Sequence, residues 1–149
     1  MKKKKIIVAI IIVILLILII VLALKDKKQI YTCTNQTTGL LKEQIYRYYY
    51  NDDGKITKTE ITKRYKAQNS DERTNLANLI WIIENENEEY NNKYSVTTKV
   101  LTNNASEYYY LLTIDPSKLD EEASELFKTK NTINEQKEYL QSFENITCR

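Results

Sequence analysis

The residues best equipped for chemistry lie in YYNDDGKITKTE, 49–60, where oxygen-bearing side chains crowd a glycine. Aligned as a calcium loop, Gly54 takes the sixth place, Ile56 the eighth and Glu60 the twelfth, with Asn51 and Asp53 at the third and fifth ligand positions. Hard oxygen donors at that spacing suit Ca²⁺. Tyr49, however, stands where the first Asp belongs, which deletes a central ligand. The flanks also alternate as strands do, where a calcium loop has helices. Two readings follow, a calcium site near the NDDG turn and a plain hairpin turn, and the composition favours the hairpin.

Tyrosine is the second chemical resource. The chain has 12, all outside the apolar N-terminal run, with triplets at Tyr48–Tyr50 and Tyr108–Tyr110. A tyrosine offers a rigid ring with a polar tip, suited to interfaces, and is an equally good strand residue. In a strand, alternate rings point to opposite faces, so each triplet divides between the two sides of a sheet. A candidate binding surface is Tyr46, Tyr48, Tyr50, Tyr108 and Tyr110; strand packing is the competing role. Without a basic groove beside these rings, base stacking and nucleic-acid partners are not expected.

Catalysis has little to stand on. There is no histidine, and the two glycines, at 39 and 54, are isolated, so no glycine-rich phosphate loop exists. The carboxylate pairs Glu88-Glu89 and Glu121-Glu122 are adjacent and splay apart on a helix, as solvated surface does. No enzyme activity, metal or cofactor is expected. Asn-x-Ser/Thr triplets at Asn35, Asn104 and Asn145 occur at about the frequency chance allows.

The two cysteines, Cys33 and Cys148, stand 115 positions apart. Two thiols without histidine fall short of a four-ligand metal site, and neither has a nearby redox partner. They are either unrelated buried thiols or a structural disulfide that pins ITC at the C-terminal end beside YTC. A disulfide would place the domain outside the cytosol.

The elements that must position these groups follow from alternation and turn chemistry. Ile30–Asn35 and Leu40–Tyr50 are predicted strands, NDDG a turn, and Lys55–Lys66 a third strand. Asn69 or Ser70 caps a helix to about Asn91, its stripe formed by Leu76, Leu79, Ile80 and Ile83 and widened by Trp81 and Ile82. Strands Tyr94–Thr102 and Glu107–Ile114 come next. Asp115-Pro116 starts a short helix with Leu119, Ala123, Leu126 and Phe127 on one side. A capping box, Thr132 to Glu135, opens the last helix. The order β-β-β-α-β-β-α-α describes an α+β domain, an antiparallel sheet with helices packed over one face.

Ahead of this domain, Ile6–Leu24 is 19 residues of Ile, Val, Leu and Ala. As a helix it reaches about 28 Å, close to the hydrocarbon thickness of a bilayer. The run is longer than the core of a removable signal, and Ala23-Leu24-Lys25 lacks small residues around a cleavage point. The expected organisation is a cytoplasmic basic segment 1–5, a transmembrane signal anchor 6–24, a linker 25–29 and an extracytoplasmic domain 30–149. The lipid bilayer is then a partner through 6–24, and an envelope protein or small ligand the partner of the domain. Removing Lys2–Lys5 from the 22 basic side chains leaves 18 against 20 acidic ones, so residues 25–149 are mildly acidic. Lys25, Lys27 and Lys28 make the charge bias across the span narrow, so a cytosolic membrane-attached adaptor is the alternative topology.

YTCT at 31–34, the hairpin around NDDGKITKTEITKRYK, the long helix, the second hairpin ending YYYLLTIDPSKL and the terminal helices resemble the YehR-like family of small bacterial envelope lipoproteins. The resemblance covers most of residues 29–145 through pattern and element order. That family has no assigned activity, so it implies location and fold class. One departure matters: the lipid-bearing cysteine at the end of the signal is absent here, and a protein anchor would do the lipid's job.

Overall fold

Strand alternation, a glycine turn and one long capped helix account for most of the architecture. The structure, a computed structural model, describes residues 29–149 and Ile14. The segments 1–5 and 25–28, and the span 6–24 apart from Ile14, lie outside the described residues. Among the described residues, no helix is long and apolar enough to cross a membrane.

Six strands form one antiparallel sheet: β1 Gln29–Asn35, β2 Leu41–Tyr50, β3 Ile56–Lys66, β4 Thr97–Asn104, β5 Glu107–Ile114 and β6 Ile146–Cys148. Their spatial order is β4-β5-β3-β2-β1-β6. The expected element order lacks β6. Its three residues are too few to show alternation, but they pair with β1 through Cys33↔Cys148, Thr34↔Thr147 and Asn35↔Ile146. The pairing continues past the strand, with Arg149 N–H donating to Thr32 O at 2.9 Å and Gln36 N–H to Asn145 O at 2.8 Å.

Helix α1 spans Ser70–Tyr94. The Asn69 side chain accepts from Glu72 N–H at 2.9 Å, while the Glu72 carboxylate accepts from Gln68 N–H at 2.7 Å. Two N–H groups that the helix cannot satisfy internally are thereby paired. Leu76, Ile83, Asn87 and Tyr94 are its buried residues. Trp81 and Ile82 do not widen the buried stripe: they are 69% and 46% exposed, because the helix rotates them away from the sheet.

The short helix expected from Asp115 is split in two. A 3₁₀ turn, Pro116–Lys118, is followed by α2, Glu121–Leu126, whose cap is Asp120, accepting from Ala123 N–H at 2.8 Å. A second capping side chain restarts the helix in a new direction, and Leu126 ends up 54% exposed. Helix α3, Ile133–Leu140, opens with the expected Thr132–Glu135 capping box.

The NDDG segment is the β2–β3 turn, and α3 docks on it. Gly54 O accepts from Ile133 N–H at 2.8 Å, and Asn131 O accepts from Ile56 N–H at 2.8 Å. Asn51 Oδ1 is engaged by Lys55 N–H at 2.9 Å. Gly54 sits at φ +76, and a Cβ there would approach Ile133 Cγ2 to 3.4 Å. Gly54→Ala therefore places a side chain in the left-handed region beside a packed neighbour. The expected loss is about 1–2 kcal/mol, read from the shift of a urea unfolding midpoint.

Candidate functional site

Cross-strand register decides which tyrosines can meet a partner. Tyr46 lies opposite Ile61, Tyr48 opposite Thr59 and Tyr110 opposite Lys63, so these side chains share the face covered by the helices. Tyr46, Tyr48, Tyr108 and Tyr110 are all buried, at 0–2% exposure, and Tyr50 is half-buried against the same core. These five are therefore core packing and form no open tyrosine surface; only edges of Tyr46 and Tyr110 reach the cleft beside Lys63. The reason is position: β2 and β5 flank the central strand β3, and α1 to α3 cover that face.

The middle members of the triplets point the other way. Tyr49 carries Lys58 Nζ 3.9 Å from its ring centre, and Tyr109 carries the Arg64 guanidinium at 4.7 Å. Tyr49 Oη donates to Glu60 at 2.7 Å, and Lys58 Nζ pairs with the other oxygen of that carboxylate at 2.7 Å. Burial pushes the Glu60 carboxyl up, but the bonds from Lys58 and Tyr49 outweigh it and hold the group below the usual range. Arg64 pairs with Glu107 at 2.7 Å on the same face. These charges pair with one another on that face of the sheet.

One charged strand residue lies on the covered face. Lys63 stands between Gln44 on β2 and Tyr110 on β5 in the cross-strand register. It opens into a cleft of about 240 Å³ between the sheet, α1 and the end of α2. Its lining includes Gln44, Tyr46, Glu86, Asn87, Tyr90 and Phe127. Burial lowers the Lys63 pKa, and the Glu86 carboxylate partly restores it. Among the described residues, Lys63 has no ion pair within 4.0 Å. Asn87 is 7% exposed, and its Nδ2 has no hydrogen-bond partner.

The walls are well held. Phe127 meets Tyr90 edge-on, with ring centres 5.2 Å apart, and Tyr94 at 6.4 Å. Tyr46 stacks on Tyr48 at 6.3 Å, and its Oη accepts from Gln44 Nε2 at 2.6 Å. Gln44 is itself held by Asn35 Nδ2, which donates to its Oε1 at 2.9 Å. Among the described residues, no group of three or more Asp, Glu, Cys or His side chains is arranged to hold a metal ion.

The sequence reading missed Lys63. The signal was available: in ITKTEITKRYK, positions 59, 61, 63 and 65 share one parity with buried Ile61, which puts a lysine on the core side.

The buried phenols carry a pH dependence. Burial pushes Tyr46 up to about 12, and burial together with the Glu84 carboxylate pushes Tyr108 up to about 12, from an ordinary 10.0. The folded state then holds these protons after the unfolded chain has lost its own, so stability is complete below pH 10 and falls as pH rises towards 12. Tyrosinate absorbance and the loss of circular dichroism are expected to rise together over that interval. Ionisation of all 12 tyrosines near pH 10 with the fold intact would contradict the burial.

No protein-family model matches this chain, and no curated protein sequence matches it. Two solved structures do. The NMR structure of the E. coli YehR protein superposes with a TM-score of 0.61 at 18% identity, covering 80% of this chain and 89% of that one. The NMR structure of a protein from Streptococcus pneumoniae TIGR4 superposes with a TM-score of 0.53 at 16% identity, covering 84% of this chain and 87% of that one. The fold is therefore YehR-like.

Proposed function

We propose that this chain is a single-pass, membrane-tethered module on the oxidising side of a bacterial cell membrane, where it binds an envelope protein or small ligand and performs no chemistry. The observation that carries this reading is the Cys33–Cys148 disulfide in a chain that also carries a 19-residue apolar run at 6–24. Disulfides persist outside the cytosol, and an uncut apolar helix holds a domain at the membrane. The resemblance to envelope lipoproteins supports the same location, with the protein anchor replacing the lipid. A cleft holding one lysine within an aromatic wall supports binding as its task.

Mass spectrometry of the membrane-extracted protein, with and without reductant, tests the reading. The expected species retains residues 6–24 and gains two hydrogen atoms on reduction, as the S–S bond takes up two electrons and two protons. Two free thiols in freshly isolated protein, or a mature chain starting past Leu24, would overturn it. Protease treatment of intact cells adds topology: digestion of the domain supports the outward orientation, and its survival identifies a cytosolic adaptor.

A further inference from the structure

The cleft beside Lys63 has chemistry specific enough to name a class of ligand, an inference that rests on the binding role proposed above. Its volume of about 240 Å³ exceeds the roughly 150 Å³ cavity known to take up benzene, so a ring-sized body fits. Leu126, 54% exposed, and the edges of Tyr46, Leu112 and Phe127 give that body an apolar side. The polar atoms are mainly donors. Among the described residues, Lys63 is the one cation in the lining and the Asn87 amide nitrogen lacks a partner. The Tyr46 hydroxyl, already accepting from Gln44, keeps its own hydrogen for another acceptor.

A single positive charge drawn out of water, beside unpaired N–H and O–H donors, is complementary to an acceptor with one negative charge. Glu86 in the same lining offsets part of the Lys63 charge and repels a dianion about twice as strongly as a monoanion, so a phosphate dianion is the poorer fit. We propose that the cleft binds a small monocarboxylate with an apolar or aromatic body, its carboxylate on the Lys63 ammonium and the Asn87 amide, its body against Leu126 and the edges of Tyr46, Leu112 and Phe127.

Isothermal titration of the full chain in lipid nanodiscs tests this with three probes: phenylacetate, its neutral isostere phenylacetamide, and inorganic phosphate. Phenylacetate is expected to bind saturably at one site, with phenylacetamide and phosphate about tenfold weaker or worse, since a charge-assisted contact is lost or opposed. Lys63→Met is expected to weaken phenylacetate by about tenfold or more. This variant removes a desolvated charge, so its thermal midpoint stays level or rises. Asn87→Leu gives a second, severalfold loss without touching the cation. Equal affinity for acid and amide, tighter binding of phosphate, an unaffected Lys63→Met protein, or no saturable heat at millimolar phenylacetate would each refute the assignment. The cysteine and protease experiments report on location alone, so a failed tether and an unoccupied cleft are separate results.

Discussion

Breaking the Cys33–Cys148 disulfide, by reductant or by the C33A/C148A pair, lowers the unfolding free energy by about 4–5 kcal/mol and the thermal midpoint by roughly 10–15 °C. The link closes a loop with a sequence separation of 115, and in the chain-entropy view a loop of that length restricts the unfolded ensemble heavily. The native side of the balance acts in the same direction. Strand β6 has only three residues, at the edge of the sheet, and Cys33 beside it is fully buried. Without the covalent link, β6 keeps a few backbone bonds to β1, and its detachment exposes the β1 edge. Alanine avoids leaving a buried hydroxyl unpaired, so the pair of substitutions measures the link itself. Thermal unfolding of the detergent-solubilised full chain, followed by circular dichroism, is the measurement. A loss under about 1 kcal/mol would mean that the crosslink does not constrain the unfolded state.

The second large effect is at Tyr48. Tyr48→Ala costs about 3–5 kcal/mol, the range for removing a buried aromatic ring. Its ring is fully buried, stacked on Tyr46 at 6.3 Å and close to Tyr31 at 6.4 Å. Its hydroxyl reaches across to the loop after α2 and donates to Lys128 O at 2.9 Å. Lys128 holds a positive φ of 49, so this bond helps fix a turn that L-residues rarely adopt. Gln136 Nε2 donates to the same carbonyl at 3.0 Å, and Gln136 Oε1 accepts from Lys130 N–H at 2.7 Å. Tyr48→Phe therefore leaves the carbonyl partnered and costs about 1 kcal/mol. The gap between the two substitutions separates ring packing from the hydroxyl. Equal losses in a denaturant series would show that the hydrogen bond, and not the ring, dominates.

Much of this fold could be read from local chemistry. Glu107–Ile114 is a continuous run of strand-favouring Tyr, Leu, Thr and Ile bounded by the NNAS turn and by Asp115-Pro116, so its ends are legible. The Thr132–Glu135 box declares α3 because both halves of the reciprocal cap are present in the sequence. What escaped depends on long-range pairing. Ile146–Cys148 is expected beside YTC only under the disulfide reading and is absent from the expected element order, because three residues become a strand only where β1 offers an edge. The tyrosine triplets show that neighbouring rings part, but not which side the helices will cover, since the same residue type serves both faces. Trp81 looks like core by hydrophobicity and is exposed, because Leu76, Ile83 and Asn87 set the orientation of the helix. The cleft was illegible as a site for the same reason: Gln44, Lys63 and Asn87 come from three elements that only the sheet order brings together.

Under the proposed N-terminal tether, the position of the disulfide would have a mechanical consequence. Tension applied at Gln29 can peel β1 only as far as Cys33, where the load divides between the onward chain and the sulfur bridge to Cys148. A force that would unzip a plain edge strand residue by residue is instead shared by both ends of the domain. Only four residues, 29–32, give way before covalent bonds take the strain.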